Sequence, residues 1–313
     1  MPDAVLILGA GGFVGQALAR ALSASGVPVI AATRSDRGIR PHPLIETVIG
    51  GLASEEDILP LLARSRAVVH LATTSTPGTS AACPLNEIDT NLRLTATLLQ
   101  ALQAHPAVEL LYLSSGGSLY TETHGSPSRE TAHVRPRSYH GAAKLAAEAF
   151  ISAWCEQFGA RATILRPSNV YGPMQPERPG FGIVPAAFGK LLRGEELQIW
   201  GDGNARRDYV YIDDLVRLCE SVLAQSMREG ATIVNACSGE STSLDTLLDT
   251  IDAVTGRPLR RTYMPARSVD ALAIDMDPGL AFTLYGWRHA TALADGIAEA
   301  WRWHLATTSG TAP

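Results

Sequence analysis

The feature that most constrains this chain is a cluster of glycines that directly follows a short apolar run. Residues 4–8 read Ala-Val-Leu-Ile-Leu, and the residues after them are Gly9-Ala-Gly-Gly-Phe-Val-Gly15. An unbroken apolar run predicts a strand buried on both faces, as in parallel sheets. An alanine- and leucine-rich stretch over residues 13–25 then predicts a helix. The opening of the chain therefore predicts a strand, a tight turn and a helix of an α/β fold.

The alternation of strand and helix continues through the first half of the chain. Apolar runs predict further strands at residues 27–32, 67–72, 109–114 and 162–166. Between them, the sequence predicts helices over residues 54–63, 86–104 and 139–158. Ser54 and Asp57 have the spacing of a capping box at the start of the first of these helices. This order predicts an α/β fold with a doubly wound parallel Rossmann sheet and right-handed crossovers.

The texture of the sequence changes after Pro167, where prolines and glycines crowd the residues up to Gly182. We therefore expect a dinucleotide-binding Rossmann domain over residues 1–166, with residues 206–237 returning to it. A smaller C-terminal lobe for the substrate is expected over residues 167–205 and 238–313. No internal repeat accompanies this change.

The charge and cysteine content of the sequence narrow the classes of partner that the protein is expected to bind. The formal net charge is -5, so no basic face indicates nucleic acid or an anionic membrane, and a small molecule is the expected partner. The four cysteines include no C-x-x-C pair, which indicates reduced thiols and no metal site. The amino terminus lacks a basic segment, and the apolar run of residues 4–10 is too short for a signal core or a membrane span. We expect a cytoplasmic protein.

The glycine cluster also predicts a ligand. Glycines let the backbone approach a pyrophosphate, and the N-terminus of the following helix offers amide donors and a positive dipole. The sequence therefore predicts a bound dinucleotide. The residues that we expect to contact it are Gly9, Gly12, Phe13, Val14 and Gly15, together with Leu71 and Ala72 at the end of the predicted strand 67–72 and Asn91 within the predicted helix 86–104.

Several motifs, in order, resemble the extended short-chain dehydrogenase/reductase family, whose NAD-dependent epimerases, dehydratases and reductases act on nucleotide sugars. The glycine spacing followed by Phe13 is one such motif. The others are Asp-Thr-Asn91-Leu, Ser114-Ser-Gly-Gly-Ser-Leu-Tyr120, Leu165-Arg-Pro-Ser-Asn-Val-Tyr-Gly-Pro173, Gly201-Asp-Gly203 and Arg207-Asp-Tyr-Val-Tyr-Ile-Asp-Asp214. The resemblance covers the whole chain and is greatest to members similar to UDP-glucose 4-epimerase.

The end of the second predicted strand bears on the choice of cofactor. A family member specific for NAD carries an acidic residue there, whereas this chain has Thr33 and Arg34. A guanidinium and a hydroxyl can bind a 2'-phosphate that a carboxylate would repel. NADP is therefore favoured over NAD; the alternative is that Arg34 is a solvated cation and the chain takes NAD.

The resemblance implies a catalytic Tyr and Lys four residues apart on one helix, with the Lys also holding the nicotinamide ribose. Lys144 matches, but His140 stands where the Tyr would be, directly after Tyr139. Three interpretations remain open: His140 is a working acid or base, the site is impaired and only binds ligand, or Tyr139 serves through an altered geometry. Tyr139 lies about 100° round the helix from His140, which argues against a simple exchange.

The resemblance also implies a hydroxyl on the turn after the fifth strand that polarises the substrate oxygen. The position that aligns with it is Gly116, so Ser115 and Ser118 are the neighbouring candidates. The alternative for both serines is that they satisfy backbone groups at the end of the strand.

For the substrate, the resemblance implies that Asn169, Arg207 and Arg267 hold the diphosphate of a nucleotide sugar. Guanidinium groups suit linked phosphates. Asp270 has the spacing for a contact to the nucleoside ribose, and Trp200 is a candidate for the base pocket. A surface ion pair for Arg267 and an ordinary core position for Trp200 remain alternatives.

Together these features predict a nucleotide-sugar oxidoreductase, foremost an NAD(P)-dependent 4-epimerase of an NDP-hexose that uses His140 and Lys144. The alternatives are an NADPH-dependent reductase of an NDP-keto-sugar and an impaired protein that binds a cofactor or nucleotide sugar without turnover. The helices over residues 86–104 and 139–158 form a dimer bundle in the family, which implies a homodimer.

Overall fold

A computed structural model describes residues 3–35, 38–50, 52, 54–76, 83–121, 123, 125–266 and 272–308 of the chain. Strands occupy β1 (Ala4–Leu8), β2 (Val29–Thr33), β3 (Ile45–Ile49), β4 (Ser65–His70), β5 (Glu109–Leu113), β6 (Arg161–Pro167), β7 (Asn169–Tyr171), β8 (Leu197–Trp200), β9 (Arg206–Tyr211), β10 (Gly230–Ala236), β11 (Ser241–Ser243), β12 (Arg261–Met264) and β13 (Ala273–Ile274). Helices occupy α1 (Phe13–Ala24), α2 (Glu55–Leu62), α3 (Pro84–Asn86), α4 (Arg93–Leu102), α5 (Gly116–Leu119), α6 (Tyr139–Phe158), α7 (Ile183–Arg193), α8 (Ile212–Leu223), α9 (Leu244–Thr255), α10 (Gly279–Tyr285) and α11 (Leu293–Thr308).

The large sheet has seven parallel strands in the order β10-β6-β5-β4-β1-β2-β3. The order reverses between β1 and β4, which creates a crevice at the carboxyl ends of these two strands. This confirms the predicted doubly wound Rossmann sheet. β3 is a strand that was not predicted from the sequence, and it forms an edge of the sheet.

Both faces of the sheet are covered, which explains the continuous apolar run at the start of the chain. Val5 and Ile7 of β1 belong to a core with α1 and α8. Leu6 and Leu8 belong to a second core with α2, α4 and α6. Successive residues of a strand point to opposite faces, so an alternating pattern would have left one face unpacked.

Local signals in the sequence explain several helix boundaries. Ser54 and Asp57 form the capping box at the start of α2, each bonding the other's backbone amide. Ser138 caps α6 by accepting a hydrogen bond from the Gly141 amide, and Gly159 ends α6 in the left-handed conformation. The predicted helix over residues 86–104 contains a π-helical turn, Glu87–Leu92, between α3 and α4. Such turns often accompany functional sites.

The remaining elements form smaller sheets. Strands β7, β9, β11 and β13 make a four-stranded sheet, and β8 pairs with β12. Within the predicted returning segment 206–237, β10 joins the large sheet beside β6, whereas β9 belongs to the four-stranded sheet. No helix in the described part of the chain has both the length and the apolar content needed to cross a bilayer.

Candidate active site

The glycine loop is built for close approach of a ligand to its backbone. Gly9 has φ of 89°, and a Cβ atom on it would lie 2.8 Å from the Ala72 amide nitrogen. A Cβ on Gly15 would lie 2.3 Å from the Gly9 carbonyl oxygen. Gly12 is the N-cap of α1 and supplies no side-chain cap, so the first turn of α1 keeps amide donors for an anion. The loop therefore fits a dinucleotide pyrophosphate, and Phe13 and Val14 begin the helix that would bind it.

The end of β2 lies beside this loop. The side chain of Thr33 is buried, and its Oγ1 donates a hydrogen bond to the Ser35 carbonyl oxygen at 2.9 Å. Arg34 is exposed. The Thr33 hydroxyl proton is thus engaged within the chain, and Arg34 is an exposed cation at this edge.

Lys144 lies buried on α6 below the carboxyl end of β5. Its Nζ donates a hydrogen bond to the Leu113 carbonyl oxygen at 2.7 Å and lies 4.7 Å from the centroid of the Tyr112 ring. Burial lowers the pKa of Lys144 to about 8, against the opposing attraction of Glu148 and Glu87. Near neutral pH this ammonium therefore remains mostly charged but gives up its proton more readily than a surface lysine.

His140 lies one helical turn before Lys144 and is 7% exposed. Its Nδ1 is 3.0 Å from the Oγ of Ser75, a residue on the loop after β4. Burial, and then the charge of Lys144, lower the pKa of His140 to about 4, although Glu87 acts in the opposite direction. The imidazole is therefore neutral at pH 7.

Tyr139 and His140 are separated by the helix geometry. Tyr139 is the first residue of α6, and its side chain is 46% exposed. His140 is buried within the cluster that contains Lys144. The structure thus brings His140, and not Tyr139, together with Lys144.

The serine turn after β5 departs from what the resemblance implies. Ser115 Oγ donates a hydrogen bond to Ser118 Oγ at 3.0 Å. A Cβ atom on Gly116 would lie 2.2 Å from Cε and 2.5 Å from Sδ of Met276. The room for a side chain at Gly116 is therefore filled from the segment after β13, and the nearby hydroxyls belong to Ser115 and Ser118.

Asn91 lies on the π-helical turn and holds the loop that follows β4. Its Oδ1 accepts a hydrogen bond from the Thr74 amide at 2.9 Å. Its Nδ2 donates to Ser75 Oγ at 2.9 Å and to Glu87 Oε2 at 2.6 Å. Leu71 and Ala72 begin the same loop, and Ala72 contacts Gly9. Asn91 therefore joins the predicted crevice through this loop.

Three buried residues of this cluster were not predicted from the sequence, namely Ser75, Glu87 and Glu148. Glu148 is one turn beyond Lys144, and its carboxylate makes a buried ion pair with Arg166 at 2.6 Å. It also accepts a hydrogen bond from Ser114 Oγ at 2.5 Å. The four-residue spacings from Glu87 to Asn91 and from Lys144 to Glu148 were signals that could have identified both carboxylates.

The predicted substrate residues lie on different elements. Asn169 begins β7 and is exposed, and a Cβ on Gly117 would lie 3.9 Å from its Oδ1. Arg207 lies on β9, half-buried, and pairs in register with Ile274 of β13. Trp200 ends β8 and is 42% exposed, so it is not an ordinary core residue. Arg267 and Asp270 lie outside the described residues. Among the described residues no cluster of acidic, histidine and cysteine side chains could hold a metal ion.

Comparison with known proteins agrees with this architecture. A UDP-glucose 4-epimerase of Mycolicibacterium smegmatis is 30% identical over 303 residues, which cover 94% of this chain and 96% of that relative. The structure of the Thermotoga maritima UDP-glucose 4-epimerase with UDP-glucose has a TM-score of 0.90 at 27% identity, covering 97% of this chain and 99% of that one. The Thermus thermophilus UDP-glucose 4-epimerase complex with NAD has a TM-score of 0.88 at 25% identity, covering 96% and 98% of the two chains.

The sequence profile of the NAD dependent epimerase/dehydratase family matches residues 5–237. This range begins at β1 and ends just after β10, so it contains every strand of the seven-stranded sheet. The chain therefore belongs to the NAD-dependent epimerase/dehydratase family of extended short-chain dehydrogenases/reductases.

Proposed function

We propose that this protein is an NAD(P)-dependent 4-epimerase of a nucleotide hexose that uses a modified catalytic pair, His140 and Lys144. The observation that carries this proposal is the burial of both side chains one turn apart on α6, beside the crevice that begins at the glycine loop. The relatives described above, which are UDP-glucose 4-epimerases, support the class of substrate.

A nicotinamide cofactor supplies the acceptor and donor of hydride when it is bound. Lys144 would hold its ribose, since the Leu113 carbonyl oxygen and the Tyr112 ring keep the ammonium in place. His140 would bind the sugar oxygen at C4 and manage its proton, as a neutral imidazole can. Ser115 and Ser118 would contribute hydroxyls in place of the side chain that Gly116 lacks.

The substrate would lie against the second lobe, for which we propose residues 167–205 and 238–313. Asn169 and Arg207 would hold the diphosphate, and the exposed Trp200 ring would contact the base. Arg267 and Asp270 remain predictions for the diphosphate and the nucleoside ribose. Guanidinium groups bind phosphates through paired hydrogen bonds, which supports the assignment of Arg207.

We propose NADP as the preferred cofactor because Arg34 is exposed at the end of β2, where an acidic residue would repel a 2'-phosphate. Arg34→Ala should reduce the preference for NADP over NAD by about tenfold, as loss of one charge-assisted contact predicts. Calorimetric titration with both dinucleotides measures this ratio. An unchanged ratio would contradict the role of Arg34 and leave binding of the dinucleotide intact.

Two other functions rest on specific observations. Arg34 also favours an NADPH-dependent reductase of an NDP-keto-sugar. A cation that can bind a 2'-phosphate suits NADPH, which a reductase binds in its reduced form and releases after oxidation. Met276 over Gly116 and the histidine at position 140 favour a protein that binds cofactor and nucleotide sugar without turnover.

One experiment separates the three functions. The purified protein is incubated with UDP-glucose, UDP-galactose and the 4-keto sugar nucleotide while NADPH absorbance is followed. Interconversion without added cofactor supports the epimerase, consumption of NADPH supports the reductase, and binding without product supports the third function. Lys144→Met should abolish either turnover, whereas Lys190→Arg, which changes the other lysine of the chain, is the matched control.

We further propose a cytoplasmic homodimer. Apolar side chains are exposed on the two helical segments that the resemblance assigns to a dimer bundle, Ile88 at 49% and Phe150 at 51%. Burial of such side chains against a second copy would remove them from water. Sedimentation at micromolar concentration tests the dimer, and Phe150→Glu should shift it to monomer.

A further inference from the structure

We propose that Ser75, oriented by Asn91 and Glu87, is a positioning residue that fixes His140 as the tautomer protonated on Nε2. This inference rests on the proposed function, because it concerns how His140 meets the sugar oxygen. The four side chains form a continuous buried or half-buried chain of hydrogen bonds, from the Glu87 carboxylate to His140 Nδ1.

Asn91 determines which groups donate and which accept along this series of hydrogen bonds. The Thr74 amide can only donate, so the Asn91 atom at 2.9 Å from it is the carbonyl oxygen. The opposite side of the Asn91 amide is 2.6 Å from the Glu87 carboxylate, which accepts. Two independent contacts therefore assign the Asn91 amide group, and its Nδ2 is the donor to Ser75.

Ser75 transmits this direction to His140. A serine hydroxyl has one proton, and Ser75 Oγ already accepts a hydrogen bond from Asn91 Nδ2 at 2.9 Å. Among the described residues, the acceptor within reach of the Ser75 hydroxyl proton is His140 Nδ1, at 3.0 Å. Nδ1 is therefore unprotonated in the neutral ring, and Nε2 carries the proton. The lowered pKa of His140 is consistent with a neutral ring.

The opposite tautomer would break this series of hydrogen bonds. A proton on Nδ1 would point at a Ser75 oxygen whose own proton would then have no acceptor among the described residues. Glu87 is 2% exposed and Ser75 5%, so water does not readily replace the lost partner. We expect a preference of about fivefold or more for the Nε2-protonated form, the ratio that one net hydrogen bond gives.

The consequence for chemistry is a donor at Nε2. A hydrogen-bond donor suits the carbonyl oxygen of a keto-sugar, whereas an alcohol that loses its proton requires an acceptor. The resting site is thus arranged for the reducing half of the reaction, and the oxidising half requires the tautomer to change. This arrangement would serve an epimerase or a reductase.

The test reverses the donor and acceptor roles along these hydrogen bonds while keeping the shapes of the side chains. In the double variant Glu87→Gln with Asn91→Asp, the amide of the new residue 87 donates, and the carboxylate of residue 91 accepts from Ser75. Ser75 must then accept from His140, so the proton should move to Nδ1. The tautomer is read from long-range ¹H–¹⁵N correlations of histidine-labelled protein at pH 7 without ligand, and His140→Phe assigns the signal.

His70 is the internal control. Its Nε2 is 3.0 Å from Thr95 Oγ1, whose hydroxyl donates to the Asn91 backbone carbonyl, so His70 should stay protonated on Nε2 in every variant. If the double variant does not fold, Ser75→Ala decides, and it should give His140 as a mixture of tautomers. Three results would overturn the inference. The first is protonation of His140 on Nδ1 in the unmodified protein. The others are that His140 stays protonated on Nε2 in the folded double variant, or that its preference for Nε2 is undiminished in Ser75→Ala. An inactive protein with the expected tautomers would instead refute the proposed turnover alone.

Discussion

Met276 fills the space above Gly116, so that a Cβ atom on Gly116 would lie 2.2 Å from the Met276 Cε. Met276 itself is 2% exposed and belongs to a small core with Tyr120 and Ile274. The space that a side chain at position 116 would need is therefore occupied by the end of the Met276 side chain. A side chain introduced at Gly116 would have to displace the end of the Met276 side chain.

This packing predicts energetic coupling between the two positions. Gly116→Ala should lower the free energy of unfolding by about 1 kcal/mol, the low end of the effect of overpacking, because the atoms in the way are the end of the flexible Met276 side chain. The loss should be smaller when Met276→Ala is also present. Gly117→Ala is the matched control, because its Cβ would have its nearest neighbour, Asn169 Oδ1, at 3.9 Å. Urea unfolding of the single and double variants measures the coupling. Additive effects would contradict the contact.

Lys144 should titrate well below a surface lysine. With Lys190→Arg, Lys144 is the one lysine left in the chain, so its side-chain NMR signal needs no further assignment. Its midpoint should lie near pH 8 in ligand-free protein because burial disfavours the ammonium. Glu148→Gln should lower the midpoint, since Glu148 favours the charged form. A midpoint close to the reference value of 10.5 would contradict this environment.

The lowered pKa of Lys144 also determines how its contribution to the free energy of unfolding changes with pH. The pKa of Lys144 is about 8 in the folded protein and 10.5 as the reference, so the unfolded chain binds more protons between these values. The contribution of Lys144 to stability therefore rises with pH from about 8 to 10.5. We expect the difference in unfolding free energy between the protein and Lys144→Met to change in that direction, as urea unfolding at about pH 7 and about pH 9.5 would measure.

Two buried histidines should destabilise the protein in mild acid. Burial lowers the pKa of His70 to about 3 and that of His140 to about 4, below the reference of 6.5. The unfolded chain therefore takes up protons first, and each histidine removes about 1.4 kcal/mol per pH unit below 6.5. His140→Phe should reduce this dependence between about pH 6.5 and about pH 4.5, and the exposed His133→Asn is its control. Equal slopes in all three proteins would refute the prediction.

The buried pair of Arg166 and Glu148 should matter mainly when one partner is missing. Arg166→Met should cost about 3–5 kcal/mol of unfolding free energy, because it leaves a carboxylate buried without its cation. Arg166→Met combined with Glu148→Leu should recover much of this loss. Thermal and urea unfolding measure both variants. A double variant less stable than the single one would show that the charges themselves are required.

Short-range patterns in the sequence were sufficient for the first strands and helices of the Rossmann sheet, although not for its edge strand β3. The apolar run and glycines that open the chain specified β1, the turn and α1, because burial on both faces and positive φ are local demands. Ser138 and Gly159 are cap residues at the two ends of α6, which occupies the predicted residues 139–158. The four-residue spacing of His140 and Lys144 put them on one face of that helix.

Tertiary structure alone decided what surrounds these residues. Ser75 meets His140 across 65 residues of sequence, and Met276 reaches Gly116 from the last part of the chain. No periodic pattern in the sequence predicts such contacts, because they arise only when separate strands and helices pack together. The tautomer of His140 and the space at Gly116 depend on partners in distant segments, whereas the strand, the glycine turn and the helix depend on neighbours along the chain.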